Sequence, residues 1–420
     1  MNKIKIVWIC HLSDAKIRAY LKFSKLYFKT AIKKIFGMPP HKWTDYAVWN
    51  ANAIKEFEKF NDVELTVVFP HQGIKGRSQN FSLNGVNYIC FRSEDDNIIS
   101  FIKNRFFKNT NNRYLKNRRF VIDVIKEIKP DIVHIIGAEN PYYSIAALDV
   151  PNEIPCIISL QTLMSDPDFF SNYPISKNEY LYRSGIEAEV IKKCDYICTT
   201  VVKFRDIIKK ILKPNAVFLD VSLAVGVDID DSEYKKEYDF VYFAGNINKA
   251  ADHAIEAFAL ALKSNPRITL NISGYYSDDY KLFLDNRIKE LNIENNVIFT
   301  GEKESHDEVL RQIKKSKFAL LPLKIDLISG TIREAMACGL PVVTTRTPGT
   351  PVLNEKRESV LISDIGDYQG MADNMIRLIE DEQYAIQIKK NGFQTIRERY
   401  QNYKIMCDLK NVYYTILSTK

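Results

Sequence analysis

The chain has 420 residues, 46% of them hydrophobic and 26% charged, with 16 Gly and 15 Pro. It is too long for one ordinary core and divides into two domains of roughly 150 to 220 residues; the composition excludes a small module, a disordered chain, a collagen-like repeat and a disulfide scaffold. The net charge of +7 admits an anionic partner, and on charge alone nucleotide, phospholipid and nucleic acid all stay open.

From the N-terminus, an apolar run over residues 4–10 is too short for a signal peptide and reads as a first strand. Residues 14–36 then carry seven basic side chains against one acid. On a helical projection Arg18, Lys22, Lys25, Lys29 and Lys33 form a stripe beside Ile17, Tyr20, Leu21, Phe28, Ile32 and Ile35, the pattern of an interfacial helix or of a surface helix with a solvated basic face. A second basic stretch, 102–120, has no acid at all. No nucleic-acid motif accompanies the charge, so the two stretches point to an anionic membrane surface rather than to nucleic acid.

Short β-branched runs follow at 65–69, 132–136, 156–160, 240–244, 268–272, 297–300, 318–321 and 342–345, with helical patterns between them. Strand then helix, repeatedly, predicts parallel sheets with crossover helices. The polar run 230–237 marks a boundary, giving domains over 1–225 and 226–398, with a C-terminal helix in 399–420 crossing back to the first domain. Open α/β domains place ligands at the carboxyl ends of their strands, so a cleft between two such domains is the expected site.

None of the seven cysteines forms a Cys-x-x-Cys pair, and most lie in apolar runs, which predicts reduced, buried thiols in a cytoplasmic protein. No stretch approaches the ~20 apolar residues that span a bilayer, so membrane contact is expected to be peripheral.

The most informative segment runs from Leu321 to Val343. A strand ends, a loop containing Ser329 and Gly330 turns the chain, and a short helix starts near Thr331 and stops at Gly339 before Pro341. Backbone N–H groups at such a helix start suit a phosphate, and Asp326 and Glu334 flank the turn as acceptors for sugar or ribose hydroxyls. Thr331-x-x-Glu334 is equally a capping box, in which Glu334 reaches back to the cap's own N–H; both readings stay open on spacing.

The run Ile332-Arg333-Glu334-Ala335-Met336-Ala337-Cys338-Gly339-Leu340-Pro341-Val342-Val343 resembles the signature region of retaining glycosyltransferases of family 4, which have the two-Rossmann GT-B fold. The resemblance extends over the second domain, through Phe243-Ala244-Gly245, Ile255-Glu256-Ala257-Phe258-Ala259, Ile272-Ser273-Gly274 and Asn296-Val297-Ile298-Phe299-Thr300-Gly301. In the first domain it is confined mainly to Pro130-Asp131-Ile132-Val133-His134 and Ser159-Leu160-Gln161.

The resemblance implies that the first domain binds the acceptor and the second a nucleotide-diphosphate sugar. It assigns Glu334 to the nucleotide ribose, Asp326 to the transferred sugar in place of the family's Glu, and the backbone of Gly330, Thr331 and Ile332 to the diphosphate, with Ser329 among the donor-binding residues. Lys249 matches one member of the family's basic pair, Asn246 stands where the Arg belongs, and Lys303 matches a position whose backbone meets the nucleobase. Gln161 takes the place of a His at the reaction centre, and a Gln is no general base near neutral pH.

Glu139, just after the strand at 132–136, is an acceptor-side candidate exposed to the cleft, whereas His134 inside that strand reads as a structural histidine. The glycine-rich loop that usually follows the family's first strand is absent. Asp166-x-Asp168 and Asp228-x-Asp230 resemble the metal pair of a different glycosyltransferase fold without its other signs, so no metal and no cofactor beyond the donor is expected.

Together these readings predict a retaining, metal-independent glycosyltransferase that acts on a glycan or lipid-linked glycan in capsule, lipopolysaccharide or other surface polysaccharide assembly. A catalytically silent nucleotide-sugar-binding subunit and a sugar-nucleotide epimerase of the same fold are the alternatives.

Overall fold

Ile4–Cys10 form β1, in which Ile6 to Cys10 are wholly buried. A run apolar on both faces suits a central parallel strand covered by helices on either side. The computed structural model describes residues 3–24, 27, 43–96, 113–172, 175–244, 250–324 and 330–419, and within these the chain separates into two α/β units. The first is built on Met1–Ser171, Ile175–Ala224 and Asn402–Lys420, the second on Val225–Gln401.

In the first unit β1 is followed by β2 (Val63–Pro70), β3 (Ser78–Leu83), β4 (Val86–Phe91), β5 (Ile132–Ile136), β6 (Cys156–Ser159), β7 (Tyr196–Cys198) and β8 (Val217–Leu219). Among the described residues they form one sheet in the order β3-β4-β2-β1-β5-β6-β7-β8, parallel except for β3 against β4. That antiparallel edge is a hairpin closed by Asn84 and Gly85, both at positive φ (49° and 82°), the backbone that a two-residue turn matching strand twist requires.

The helix Asn402–Ser418 belongs to the first unit and puts Ile405, Met406, Leu409, Tyr413 and Ile416 into its core. Tyr413 ties the helix to the sheet: its hydroxyl accepts from Trp8 Nε1 (2.9 Å) and meets His134 Nδ1 (2.5 Å), while His134 Nε2 meets Ser159 Oγ (2.8 Å). Trp is a donor only, so Tyr413 donates onward to Nδ1 and Nε2–H donates to Ser159. Burial pushes the His134 imidazole down to about 3, keeping it neutral. His134 is a structural group.

The second unit contains β9 (Tyr238–Phe243), β10 (Leu270–Ser273), β11 (Val297–Gly301), β12 (Ser316–Leu321), β13 (Val342–Thr345) and β14 (Leu361–Ser363). All pairings are parallel, in the order β11-β10-β9-β12-β13-β14. Counted from β9 this is the doubly wound order 3-2-1-4-5-6, whose switch point lies between β9 and β12. The expected α/β class, with two Rossmann-like units, is what the chain adopts.

The basic stretch 14–36 departs from expectation in its described part. Asp14 caps a helix of only Ala15–Arg18, which ends in a turn at Ala19 and Tyr20, and Phe23 then bridges to Ile74. Lys22 N–H donates to Gln79 Oε1 (2.8 Å), Gln79 Nε2 and Lys75 N–H donate to Lys22 O (both 2.7 Å), and Ser24 N–H donates to Gly73 O (2.8 Å). These long-range hydrogen bonds outweigh local helical periodicity. Residues 25, 26 and 28–36 lie outside the described residues, as do 102–112. Arg18 pairs with Asp45 (2.7 Å), Arg113 with Glu189 (2.6 Å) and Arg118 with Asp149 (2.5 Å), so part of the basic charge is met within the unit. Among the described residues no helix is long and apolar enough to cross a membrane.

Candidate functional site

In the second unit, β12 ends at Leu321 and the helix Gly330–Ala337 begins after it, at the carboxyl end of the strand beside the switch point. Ile332, Ala335, Met336 and Ala337 bury one face of this helix in the core. Its C-terminus closes through Gly339 N–H to Met336 O and Leu340 N–H to Ala335 O (both 3.0 Å), with Gly339 at φ 73° as this cap demands. A Cβ at Gly339 would also lie 2.7 Å from Phe393. Arg333 is almost wholly buried, with its guanidinium 4.9 Å from the centre of the Tyr400 ring. Packing therefore fixes the helix from inside and directs its first-turn N–H groups along the axis toward its N-terminal end.

Glu334 is 9% exposed, and its carboxylate occupies a slot made by two distant residues. His306 Nε2, at the start of the helix His306–Ile313, lies 3.6 Å from Glu334 Oε1. On another side the backbone of Gly226 is so close that a Cβ there would stand 1.8 Å from Oε1 and 2.8 Å from Cδ. The segment carrying Gly226 is itself fastened down: Asp230 N–H donates to Ala337 O (2.9 Å), Asp230 pairs with Lys314 (2.7 Å), and Lys236 Nζ donates to Lys314 O and Ser316 O (2.8 and 2.9 Å). The capping-box reading fails because Thr331 already lies inside the helix, whereas a cap residue must precede it.

Of the other donor-side candidates, Gly330 and Thr331 are half-buried in the first turn and the Ile332 side chain is fully buried, leaving its backbone for any contact. Lys303 follows β11 and folds its ammonium back onto Thr300 O (2.7 Å). Asn246, Lys249, Asp326 and Ser329 lie outside the described residues. Sequence reasoning missed Gly226, His306 and Lys324. Lys324 pairs with Asp252 (3.0 Å) in the first turn of the helix Ala251–Ser264, and Tyr280 Oη also donates to Asp252 (3.0 Å), which places a cation at the carboxyl end of β12. A lone His at a helix start carries no motif, and Gly226 reads as a domain boundary until its neighbour is known.

In the first unit, Gln161 follows β6. Its loop is held by the buried Glu187, which accepts from Met164 N–H (2.9 Å), Ser165 N–H (2.8 Å) and Ser165 Oγ (2.9 Å). Burial outweighs those hydrogen bonds and pushes the Glu187 carboxyl up to about 7. Gln161 Nε2 is buried and has no hydrogen-bond partner among the described residues. Glu139 is buried, not exposed as expected: it is 9% accessible and its carboxyl group lies over Gly137. Asp166 is buried and paired with Lys203 (2.7 Å), and Asp230 is held by Lys314, so one member of each supposed metal pair serves a structural ion pair.

The slot makes a steric prediction. Gly226→Ala should destabilise the second unit by about 1–3 kcal/mol through overpacking against Glu334. In a Glu334→Ala background the same change should cost far less, because the two residues share one space. Urea denaturation of the four proteins measures the coupling; strictly additive costs would contradict the slot.

Residues 227–395 match the family profile described as "Glycosyl transferases group 1". Over 130 residues the chain is 29% identical to N-acetyl-alpha-D-glucosaminyl L-malate synthase of Bacillus anthracis, a match covering 31% of this chain and 33% of that protein. The chain spans about a third or less of the length of the curated relatives it matches. The sucrose-phosphate synthase structure from Thermosynechococcus elongatus superposes over 100% of both chains with a TM-score of 0.71 at 13% identity. Anabaena HepE in complex with UDP and glucose superposes over 97% of this chain and 99% of its own, with a TM-score of 0.65 at 14% identity. At such identities the likeness concerns the fold, and it establishes that this chain has the GT-B fold of those structures.

Proposed function

We propose that the chain is a retaining glycosyltransferase, a family 4 enzyme that transfers a hexose-type sugar from a nucleotide-diphosphate donor to a hydroxyl of a glycan or lipid-linked glycan. The observation that carries this reading is the Glu334 carboxylate, seated between Gly226 and His306 beside a helix start at the carboxyl end of β12. A fixed carboxylate there is suited to accept from the two ribose hydroxyls, while the first-turn N–H groups of Gly330, Thr331 and Ile332 face the diphosphate. The match of residues 227–395 to the group 1 profile, and the UDP named in the HepE complex, support a nucleotide-sugar donor.

In this reading Asp326 holds the transferred sugar and Lys249 meets the charge that grows on the leaving diphosphate, so the protein's own groups do the work without a metal. The helix dipole adds to that stabilisation. Asn246 brings no charge to the position where the family has an Arg, and Lys303 contributes its backbone to the base. Gln161 hydrogen-bonds the sugar or phosphate, and the leaving phosphate takes the acceptor's proton. Isothermal titration with uridine diphosphate tests the site: Glu334→Ala should weaken binding about 100-fold, as expected when two hydrogen bonds to a charged group are lost. Unchanged affinity would refute the assignment. Proton NMR of the product then reads the anomeric configuration, and tight donor binding without turnover on any acceptor would favour a silent binding subunit.

We place the reaction at the cytoplasmic face of a membrane, in capsule, lipopolysaccharide or related polysaccharide assembly. The supporting observation is the charge of the two basic stretches, in which Lys16, Lys22, Lys116 and Arg119 are exposed. The protein should pellet with phosphatidylglycerol vesicles at low salt and be released at high salt, as screened charge requires. Equal pelleting with phosphatidylcholine vesicles would contradict this placement.

A further inference from the structure

The two neighbours of the Glu334 carboxylate differ in kind. Gly226 offers bare backbone and His306 a ring, and the three groups meet at one point. His306 Nε2 lies 3.6 Å from Glu334 Oε1, and a Cβ on Gly226 would stand 3.1 Å from that nitrogen and 1.8 Å from that oxygen. The ring and the Gly226 backbone therefore bound the same carboxyl oxygen. Both side chains keep part of their surface accessible, 18% for His306 and 12% for Glu334, so the pair borders the surface of the second unit rather than lying sealed in its core.

His306 is itself held in place. Ser305 Oγ accepts from Glu308 N–H (3.3 Å) and Glu308 Oε2 accepts from Glu304 N–H (3.2 Å), which fixes the turn on both sides of His306. Further along the same helix Val309 and Leu310 pack against the core and Ile313 is buried within it. Upstream the chain leaves β11 through Gly301 at φ 68°, and Lys303 Nζ donates to Thr300 O (2.7 Å). The loop that carries the proposed base contact at Lys303 thus delivers His306 to Glu334 three residues later.

A Glu side chain turns about three bonds and loses more freedom on being fixed than most residues do. To meet two neighbouring hydroxyls at once its carboxyl group must hold one orientation, and hydrogen bonds weaken steeply as that orientation drifts. A ring fixed 3.6 Å from one oxygen restricts the rotation by the space it occupies, whether the imidazole is neutral or charged, and attracts the carboxylate as well when it carries a proton.

We infer that His306 is a positioning residue for the ribose contact: it holds the Glu334 carboxyl group in the orientation that accepts from both hydroxyls of a nucleoside ribose, so the preference for a nucleotide that has these hydroxyls over one that lacks them depends on His306. The role rests on the donor-site reading, within which it is exerted through Glu334. A residue that served only to pack the helix start would affect both kinds of nucleotide alike.

Ligand-observed NMR titration of the full chain tests this, using whichever of uridine, guanosine and adenosine diphosphate binds best, beside its 2′,3′-dideoxy counterpart. The wild type should prefer the ribonucleotide at least tenfold. His306→Ala should weaken the ribonucleotide at least fivefold and the dideoxy compound less than twofold. Circular dichroism melting checks the fold, and His306→Ser carries the test if His306→Ala does not fold. An equal loss for both nucleotides, or the full wild-type preference in a folded variant, would overturn the role. Glu334→Ala separates the two levels. If it erases the preference while the His306 variant keeps it, only the positioning role falls; if the wild type shows no preference, or none of the three nucleotides binds, the ribose contact falls and the role of His306 with it.

Discussion

Glu334 can occupy its slot because residue 226 has no side chain. A carboxyl oxygen 1.8 Å from where a Cβ would be means that any other residue there would push the carboxylate out of this position, and the same carboxylate has His306 on a further side. This steric constraint joins three parts of the second unit that are far apart in sequence: the segment at 226, the start of the helix His306–Ile313 and the helix Gly330–Ala337. Much else in the unit serves to keep them together. Asp230 binds the helix end at Ala337 and pairs with Lys314, and Arg333 packs on Tyr400 from the buried side. A carboxylate held by packing on several sides is preoriented for hydroxyl groups, since little freedom remains to be lost when they arrive.

Each unit follows the same construction and brings its loops out at the carboxyl ends of parallel strands. In the second unit the order around β9 and β12 sets a switch point beside the helix start. In the first unit the sheet edge after β5 and β6 carries Glu139 and Gln161. The C-terminal helix Asn402–Ser418 completes the first unit's core through Tyr413, although it follows the second unit in sequence. Trp8, His134, Ser159 and Tyr413 form a chain of buried hydrogen bonds that ties this late helix to strands from the beginning of the protein.

What was legible in the sequence were features coded locally. The signature from Ile332 to Val343 showed a helix, its glycine cap and Glu334, because cap and periodicity lie within one dozen residues. The central strands were legible as β-branched runs between helical patterns. The hairpin closed by Asn84-Gly85 is coded mainly in its turn pair, because β3 carries polar residues at most positions and has no β-branched run. The features that escaped are those that depend on distant partners. Gly226 is sterically required only because Glu334 lies against it, and His306 gains meaning only from the same carboxylate. The basic stripe of residues 14–36 has helical periodicity, yet at Lys22 and Ser24 the partners are Gln79, Lys75 and Gly73, and the helix stops at Arg18. Glu139 looked accessible from its place after a strand, whereas Arg183 and Gly137 draw it into a buried turn.

The proposed function requires the second unit to bind a nucleotide-diphosphate sugar. A thermal-shift screen of the intact chain against a panel of such sugars, varying base and sugar separately, tests it most directly. A ligand that binds only the native state, present at about 100 times its Kd, stabilises by about 2.7 kcal/mol, and the account predicts a concentration-dependent rise in Tm for at least one member of the panel. A flat response to every nucleotide sugar, over a range reaching millimolar concentrations, would contradict it.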